Sequence, residues 1–305
     1  IEQMPASLEG ILEVGDFDTV HVNFATRYGH LLRNVKGMRK ILSVWGEDVL
    51  DEAIRRDVEK MRLIQGLASA DIVTTTSKDM AEHLMREYGV EKRRIWTIPW
   101  GYGRTFVESS EDEKNVFKEL GIENVGDTFF LSARVCRPQN NIENIVDAFM
   151  QLRVNAGLVI LTGKLSDKKY ISKIRKKTRE RVAILPTIDE EQLKALYRRA
   201  VATISIPSVD QLSTTILESL ISGTPIICSD LAVYRERVRD KYNGWLVNPC
   251  NIGDINGAMR MALEKRDDKQ MKENARISVI KDDWASNAER MIKLYDIPLD
   301  YDTIR

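Results

Sequence analysis

An α/β fold made of two domains, each a parallel sheet with helices packed on it, is what this sequence predicts, and three observations carry the prediction. Short apolar runs alternate with helix-patterned segments along the chain, the βαβα order of a parallel sheet. The alternation breaks at Pro99-Trp100-Gly101-Tyr102-Gly103-Arg104 and the polar, acidic stretch Glu108–Glu113, then restarts. The length, 305 residues, suffices for two domains of ordinary size.

In the first domain, strands are expected at Thr19–Val22, Lys40–Trp45, Asp71–Thr76 and Arg94–Pro99. A charged helix over roughly Val49–Ala68 is expected to turn Ile54, Val58, Met61, Ile64 and Ala68 inward. Ser77 is placed to cap a helix running through Tyr88. In the second domain, strands fall at Thr128–Ala133, Gly157–Thr162, Val182–Leu185, Ala202–Ile206, Pro225–Cys228 and Gly244–Val247. Helices fall near Ile142–Leu152, Asp167–Thr178, Glu190–Arg199, Thr214–Ser222, Val233–Arg237 and Ile252–Lys265. A charged connection then leads to a last helix, Trp284–Tyr295, and an irregular tail, Asp296–Arg305. The helix is assigned back to the first domain, so the domains are set at 1–100 with 283–305, and at 101–282.

Composition narrows the class. With 43% hydrophobic and 30% charged residues, the chain reads as a globular protein. Lys+Arg and Asp+Glu stand at 46 each, so no global basic footprint points to nucleic acid. The three cysteines, Cys136, Cys228 and Cys250, have neither CxxC nor Cys/His spacing, which disfavours zinc and a disulfide framework and suits a reducing compartment. No apolar run approaches the ~18 residues of a membrane span, and no signal peptide is seen. The basic stretch Lys164–Arg181 reads as the solvated face of an amphipathic helix with Tyr170, Ile171 and Ile174 inward. Peripheral contact with a membrane surface is the alternative.

The stretch Ile204–Cys228 carries the chemistry. Strand, polar turn, helix from Thr214, the turn Gly223-Thr224-Pro225 and a second strand follow one another. That order places a helix N-terminus over the carboxyl edge of a parallel sheet, where ligands bind in open α/β folds. Unpaired N–H groups and the helix dipole there favour an anion. Ser213, Thr214 and Thr215 add hydroxyls, and two acids, Asp210 and Glu218, flank them. A phosphate cradle beside two carboxylates suits a ligand that is part phosphate and part polyol, such as a sugar nucleotide. Asp210 as a plain helix cap, and Glu218 as a solvated helix carboxylate, are the competing explanations.

The run Ala200–Val247 resembles the donor-binding half of retaining GT-B glycosyltransferases, in the manner of glycosyltransferase family 4. Its marks are Pro207-Ser208-Val209-Asp210, then Glu218, then Ser222-Gly223-Thr224-Pro225, continued by Ser229-Asp230, Arg235-Glu236 and Tyr242-Asn243-Gly244-Trp245-Leu246-Val247. Phe130-Leu131-Ser132-Ala133-Arg134, Leu158–Gly163, Ile98-Pro99-Trp100-Gly101 and Trp284 are similar to further landmarks of that family. The resemblance implies two Rossmann-like domains facing a cleft. It departs from the family where Gln139 stands near an expected lysine and Trp45 near an expected histidine. Nothing in Ile1–Thr19 reads as the usual opening strand and glycine-rich loop, so the first domain is expected to be incomplete, by truncation or because that portion lies outside this sequence.

On this resemblance the chain is a metal-independent glycosyltransferase of hexosyltransferase type, in polysaccharide biosynthesis. It would move a sugar from a UDP-, GDP- or ADP-linked donor to a glycan, lipid or small-molecule acceptor with retention of configuration. Arg134, Asp210 and Glu218 are implied as catalytic. Arg137, Gly163, Thr187, Leu212, Ser213, Thr214 and Thr215 are implied to bind the donor with Arg134 and Glu218. His21, Trp45, Gly46 and Asp48 are implied on the acceptor side; His21 is the weaker candidate, since a lone histidine at a strand end is more often a satisfied structural residue. No cofactor, metal or nucleic acid is expected. A cytoplasmic place, with contact at the inner face of the membrane as a secondary expectation, goes with this reading. A non-catalytic sugar-nucleotide-binding subunit, or a nucleotide-sugar epimerase on the same fold, is the alternative.

Overall fold

The computed structural model describes residues 16–50, 57–107 and 115–297. The expected opening of the first domain over 1–15, the inward position Ile54, the acidic stretch Glu108–Glu113 and the tail beyond 297 lie outside the described residues. The chain divides into two compact units, Ile1–Pro99 with Ser286–Arg305, and Trp100–Ala285.

The first unit is built on β1 (Thr19–Asn23), β2 (Arg39–Ser43), β3 (Ile72–Thr75) and β4 (Ile95–Thr97), all parallel and in sequence order. Helices α1 (Ala25–Tyr28), α2 (Glu47–Leu50), α3 (Asp57–Ser69) and α4 (Lys78–Tyr88) fill the crossovers. Ser77 does cap α4, accepting from the Met80 N–H, and Gly89 closes it in the left-handed region at φ 64°.

The buried face of α3 differs from the expectation. Val58, Met61 and Ile64 are 54%, 55% and 46% exposed, and Leu63, Gly66 and Leu67 are buried instead. The reason is a backbone contact: a Cβ on Gly66 would lie 2.9 Å from the Gly29 Cα. Close approach at that glycine selects its face of the helix over the more apolar stripe.

The second unit carries six parallel strands in the order β10-β9-β8-β5-β6-β7. They are β5 (Phe129–Ser132), β6 (Gly157–Leu161), β7 (Val182–Leu185), β8 (Ala202–Ser205), β9 (Ile226–Ser229) and β10 (Gly244–Val247). Residues of β5, β6, β8 and β9 are buried throughout, which is why these strands are mostly apolar, with Ser132, Thr203, Ser205 and Ser229 the exceptions. The helices are α5 (Val116–Glu119), α6 (Ile142–Met150), α7 (Lys168–Lys177), α8 (Glu190–Arg199), α9 (Thr214–Ile221), α10 (Ala232–Arg235) and α11 (Ile252–Glu264). One core layer gathers Leu217 and Leu220 of α9 with Leu196 of α8; another gathers Ile145 of α6 with Ile255 and Met259 of α11. On α7, Tyr170 and Ile174 are buried, while Lys173 and Lys177 pair with Glu143 of α6.

Two further features depart from the expectation. The charged connection before the last helix contains α12 (Lys269–Val279), capped by Asp268, whose carboxylate accepts from the Met271 N–H at 3.0 Å. Its Met271, Ala275 and Val279 are buried at helical spacing, and the charged residues between them mask that spacing. The last helix, α13 (Trp284–Asp296), begins in the second unit, because Trp284 N–H donates to the Tyr102 carbonyl and Tyr102 N–H to that of Asp282. The division thus falls after Ala285 rather than after residue 282. Further along α13, Leu294 joins Ile41, Ile72 and Ile98 in a core cluster of the first unit. Among the described residues, no helix is long and apolar enough to cross a membrane.

Candidate active site

The paired strands β5 and β8 end side by side, so the loops that leave them share one sheet edge. Arg134 follows β5 and Asp210 follows β8. Arg134 Nη2 lies 2.9 Å from Asp210 Oδ2, and each side chain is 19% exposed. Nη1 of the same guanidinium donates to the Ser213 hydroxyl. Ser213, not Asp210, is the cap of α9: its hydroxyl accepts from the Thr215 N–H at 3.1 Å. The structure therefore separates the two explanations of Asp210. It is no cap; it is an acid in an ion pair.

The surrounding residues hold both partners. The Asn140 side-chain carbonyl accepts from Arg134 Nη2 at 3.4 Å, and its amide donates to the Val135 carbonyl. Asn141, at φ 52°, donates to the Ile206 carbonyl and the Ser208 hydroxyl, both at 2.9 Å. Asp210 Oδ1 accepts from the Gln211 N–H at 2.9 Å, and Oδ2 from the Tyr234 phenol at 2.6 Å. Burial pushes the Asp210 carboxyl above its ordinary value, against the pull of Arg134, Tyr234 and the Gln211 N–H.

Glu218 stands further along α9, with Oε2 accepting from the Tyr197 phenol at 3.0 Å. The Thr214 hydroxyl also hydrogen-bonds Glu218, and Glu190 lies close enough to act on it electrostatically. Burial raises the Glu218 carboxyl as well, so it is not a freely solvated helix acid. Leu212, Ser213 and Thr215 are buried and Thr214 is exposed. Gly163, at φ 73°, turns the chain after β6 so tightly that a Cβ would lie 3.3 Å from Val135 Cγ2. Thr187 is exposed in the loop after β7.

Arg137 is placed differently from Arg134. Its Nε donates to the Leu165 carbonyl at 2.9 Å. Gln139 is exposed, and its carbonyl accepts from the Ser208 N–H. Among the described residues, no group of three or more His, Cys, Asp or Glu is placed to hold a metal ion.

Of the four first-unit residues, His21 lies in the middle of β1, Trp45 and Gly46 follow β2, and Asp48 is in α2. His21 hydrogen-bonds through Nδ1 to the Tyr295 hydroxyl at 2.6 Å and through Nε2 to Ser43 at 2.7 Å. Both ring nitrogens are engaged, and burial lowers the pKa of the imidazole. Asp48 is 1% exposed and accepts from the Ala25 and Trp45 N–H groups at 2.6 and 2.7 Å. Its carboxylate shapes the turn, and burial raises its pKa against those donors. Gly46 turns the chain at φ 96°. Trp45 is 44% exposed and meets the Phe24 ring edge-on at 6.4 Å between centroids; Phe24 itself sits at φ 73°.

Sequence reasoning missed Tyr197 and Tyr234. Each lies on a helix among apolar neighbours and reads as an ordinary core aromatic. No local pattern distinguishes a buried phenol that meets an acid from one that meets a backbone carbonyl.

Two units, each a parallel sheet with helices packed on it, are the architecture of a GT-B protein. Residues 112–278 match the sequence model described as "Glycosyl transferases group 1", and the chain belongs to that family. An uncharacterized glycosyltransferase of Methanocaldococcus jannaschii is 24% identical over 318 residues, covering 98% of this chain and 80% of the relative. A D-inositol 3-phosphate glycosyltransferase of Xylanimonas cellulosilytica is 25% identical over 76% of this chain; the match spans 58% of that relative's length. Among solved structures, HepE of Anabaena in complex with UDP superimposes with a TM-score of 0.79 at 14% identity, covering 96% of this chain and 82% of that one. The fold is GT-B.

Proposed function

We propose that the chain transfers a hexose from a nucleotide-sugar donor to an acceptor hydroxyl, with retention of configuration and without a metal ion. The observation that carries this reading is the Arg134–Asp210 pair at the capped N-terminus of α9, with Glu218 further along the same helix. The complexes of HepE with UDP and with UDP-glucose support a nucleotide-sugar donor.

In this reading the donor diphosphate lies against the N-terminus of α9, where the N–H groups and hydroxyls around Leu212–Thr215 meet it. Gly163 lets the backbone approach the nucleotide, and the loop at Thr187 faces the base. Glu218 accepts from the ribose hydroxyls, and Asp210 from a hydroxyl of the transferred sugar. As the anomeric C–O bond to phosphate breaks, Arg134 stabilises the charge gathering on the leaving diphosphate. A positioned donor of this kind is worth about 3–4 kcal/mol in other enzymes. The transition state is oxocarbenium-like. The acceptor oxygen bonds to the anomeric carbon on the face being vacated, and its proton passes to the departing phosphate. Arg137, held at Leu165, assists only by reorienting. In the first unit, the exposed Trp45 and the turn at Gly46 are the acceptor-side surface, which Asp48 holds in shape. A glycan, lipid or small-molecule acceptor, at the inner face of a membrane or free in the cytoplasm, is compatible with this chemistry.

A second reading, a sugar-nucleotide-binding subunit without turnover, is favoured by one observation: Gln139 is exposed where the resemblance expects a lysine. A panel of UDP-, GDP- and ADP-sugars separates the two. Release of free sugar and nucleotide, unaffected by EDTA, is the expected result. Tight binding with no release would support the second reading, and binding abolished by EDTA would contradict the metal-free site.

A further inference from the structure

We propose that Tyr197 and Tyr234 are dedicated positioning residues, one for each site acid, so that Tyr197 governs nucleotide binding and Tyr234 governs recognition of the transferred sugar. The inference rests on the donor-site reading of Asp210 and Glu218.

Both phenols are fully buried, so neither can touch a ligand. Each acts through the carboxylate it meets: Tyr197 at 3.0 Å from Glu218 Oε2, Tyr234 at 2.6 Å from Asp210 Oδ2. They come from different helices, α8 and α10, yet make the same contact to acids at positions 210 and 218 of one loop–helix segment. Burial raises both phenols well above their ordinary value, so each stays protonated and is a donor throughout the working pH range.

A neutral donor suits this task better than a cation. It fixes the carboxylate without cancelling its charge, leaving the acid able to accept hydrogen bonds from sugar hydroxyls. Tyr197 is itself oriented by the Thr215 hydroxyl, which hydrogen-bonds its phenol oxygen. For Asp210 the argument is sharper, because Oδ2 is shared between Tyr234 and Arg134. A diphosphate competes for that guanidinium. When Arg134 turns to it, Tyr234 still holds Oδ2 and the Gln211 N–H still holds Oδ1, so the acid keeps its aim.

The test is calorimetry on Tyr197→Phe and Tyr234→Phe, with UDP, GDP and ADP and with UDP-glucose, GDP-mannose and ADP-glucose. Tyr197→Phe should weaken the bound nucleoside diphosphate and its sugar conjugate by the same factor, about tenfold. Tyr234→Phe should leave the nucleoside diphosphate within about twofold and weaken the sugar conjugate about tenfold. In turnover the same split appears as a raised donor KM for Tyr197→Phe and a lowered kcat for Tyr234→Phe. Loss of core packing alone would move all ligands together. If a Phe variant does not fold because a carboxylate is left underpaired, the double change Tyr197→Phe/Glu218→Gln removes both partners. Its nucleoside diphosphate affinity should then match that of Glu218→Gln alone within about twofold, and full additivity would overturn the pairing. Equal effects of the two Phe changes on both ligand types, or no effect of either, would also overturn it. If the unaltered chain binds none of the six compounds, the donor reading fails and the tyrosine assignment with it. If Asp210→Asn and Glu218→Gln give their distinct ligand patterns and the Phe variants do not, only the tyrosine assignment fails.

Discussion

Arg134 Nη2 and Asp210 Oδ2 lie 2.9 Å apart, although 76 residues separate them in the chain and each belongs to the loop after a different strand. The group assigned to the diphosphate and the group assigned to the sugar are thus one ion pair. Asp210→Asn should release Arg134 from its counter-charge, so nucleoside diphosphate affinity should hold or rise. Affinity for the nucleotide sugar should fall relative to it by about 1.5–3 kcal/mol, the scale of one charged hydrogen bond. Calorimetry with both ligands checks this, and a parallel loss of both would remove Asp210 from sugar recognition.

Glu218 should show a trade of stability against binding. Burial raises its carboxyl in the fold, so above the ordinary carboxylate range the folded chain holds a charge that the unfolded chain carries more easily. Stability therefore falls as pH rises from the ordinary value through the raised one. Glu218→Gln should increase Tm near neutral pH, measured without ligand, and give no gain below about pH 4, where the acid is protonated in both states. The same variant should bind nucleoside diphosphate more weakly. A lower Tm at neutral pH would mean that the Tyr197 and Thr214 hydrogen bonds outweigh the desolvation.

Ser213 has two duties, as cap of α9 and as acceptor for Arg134. Ser213→Ala should cost about 1 kcal/mol in urea unfolding, with the m-value unchanged. It should weaken nucleoside diphosphate as well, because Arg134 loses a partner. Ser213→Thr, which keeps the hydroxyl, should lose little of either. Unaltered stability in Ser213→Ala would show that the cap is dispensable.

Gly101 is a position where no side chain fits. Its φ is 89°, and a Cβ would meet the Trp284 nitrogen at 2.7 Å and the Asp282 carbonyl at 2.8 Å. Those backbone atoms cannot yield easily, since Arg237 grips the Asp282 carboxylate through Nε at 2.5 Å and Nη2 at 3.0 Å. Gly101→Ala should cost roughly 2 kcal/mol or more, combining strained φ with the clash. Thermal unfolding is the measurement; a change under about 0.5 kcal/mol would mean that the turn relaxes.

The strands were the most legible part of the fold. Val182–Leu185 and Gly244–Val247, the two edge strands of the sheet, occur with the expected ends, because each is a short run of mainly apolar residues bounded by Arg181 and Pro186 or by Asn243 and Asn248. The inward face of α3 was misread because a glycine contact, invisible to hydrophobic periodicity, set its rotation. Helix α12 was missed because Lys269, Lys272, Glu273 and Arg276 dominate its composition over the three spaced buried apolar residues Met271, Ala275 and Val279. At the site, Asp210 and Glu218 were visible through their spacing and flanking turns. Their phenol partners were not, since those contacts depend on how α8 and α10 pack rather than on any short pattern.

The position of β5 has a consequence for how the second unit forms. It is an interior strand with β6 on one side and β8 on the other, yet β8 begins at Ala202, far along the chain from Phe129. At a ribosomal rate of about 5–20 residues per second, one edge of Phe129-Phe130-Leu131-Ser132 waits roughly 4–15 s for its neighbour to be made. Until then the β5–β6–β7 segment presents the unpaired N–H and C=O groups of β5, a strand whose side chains are mostly apolar. Chaperone binding during synthesis should concentrate on that segment, and the edge should close only when α8 has emerged and brought β8 after it.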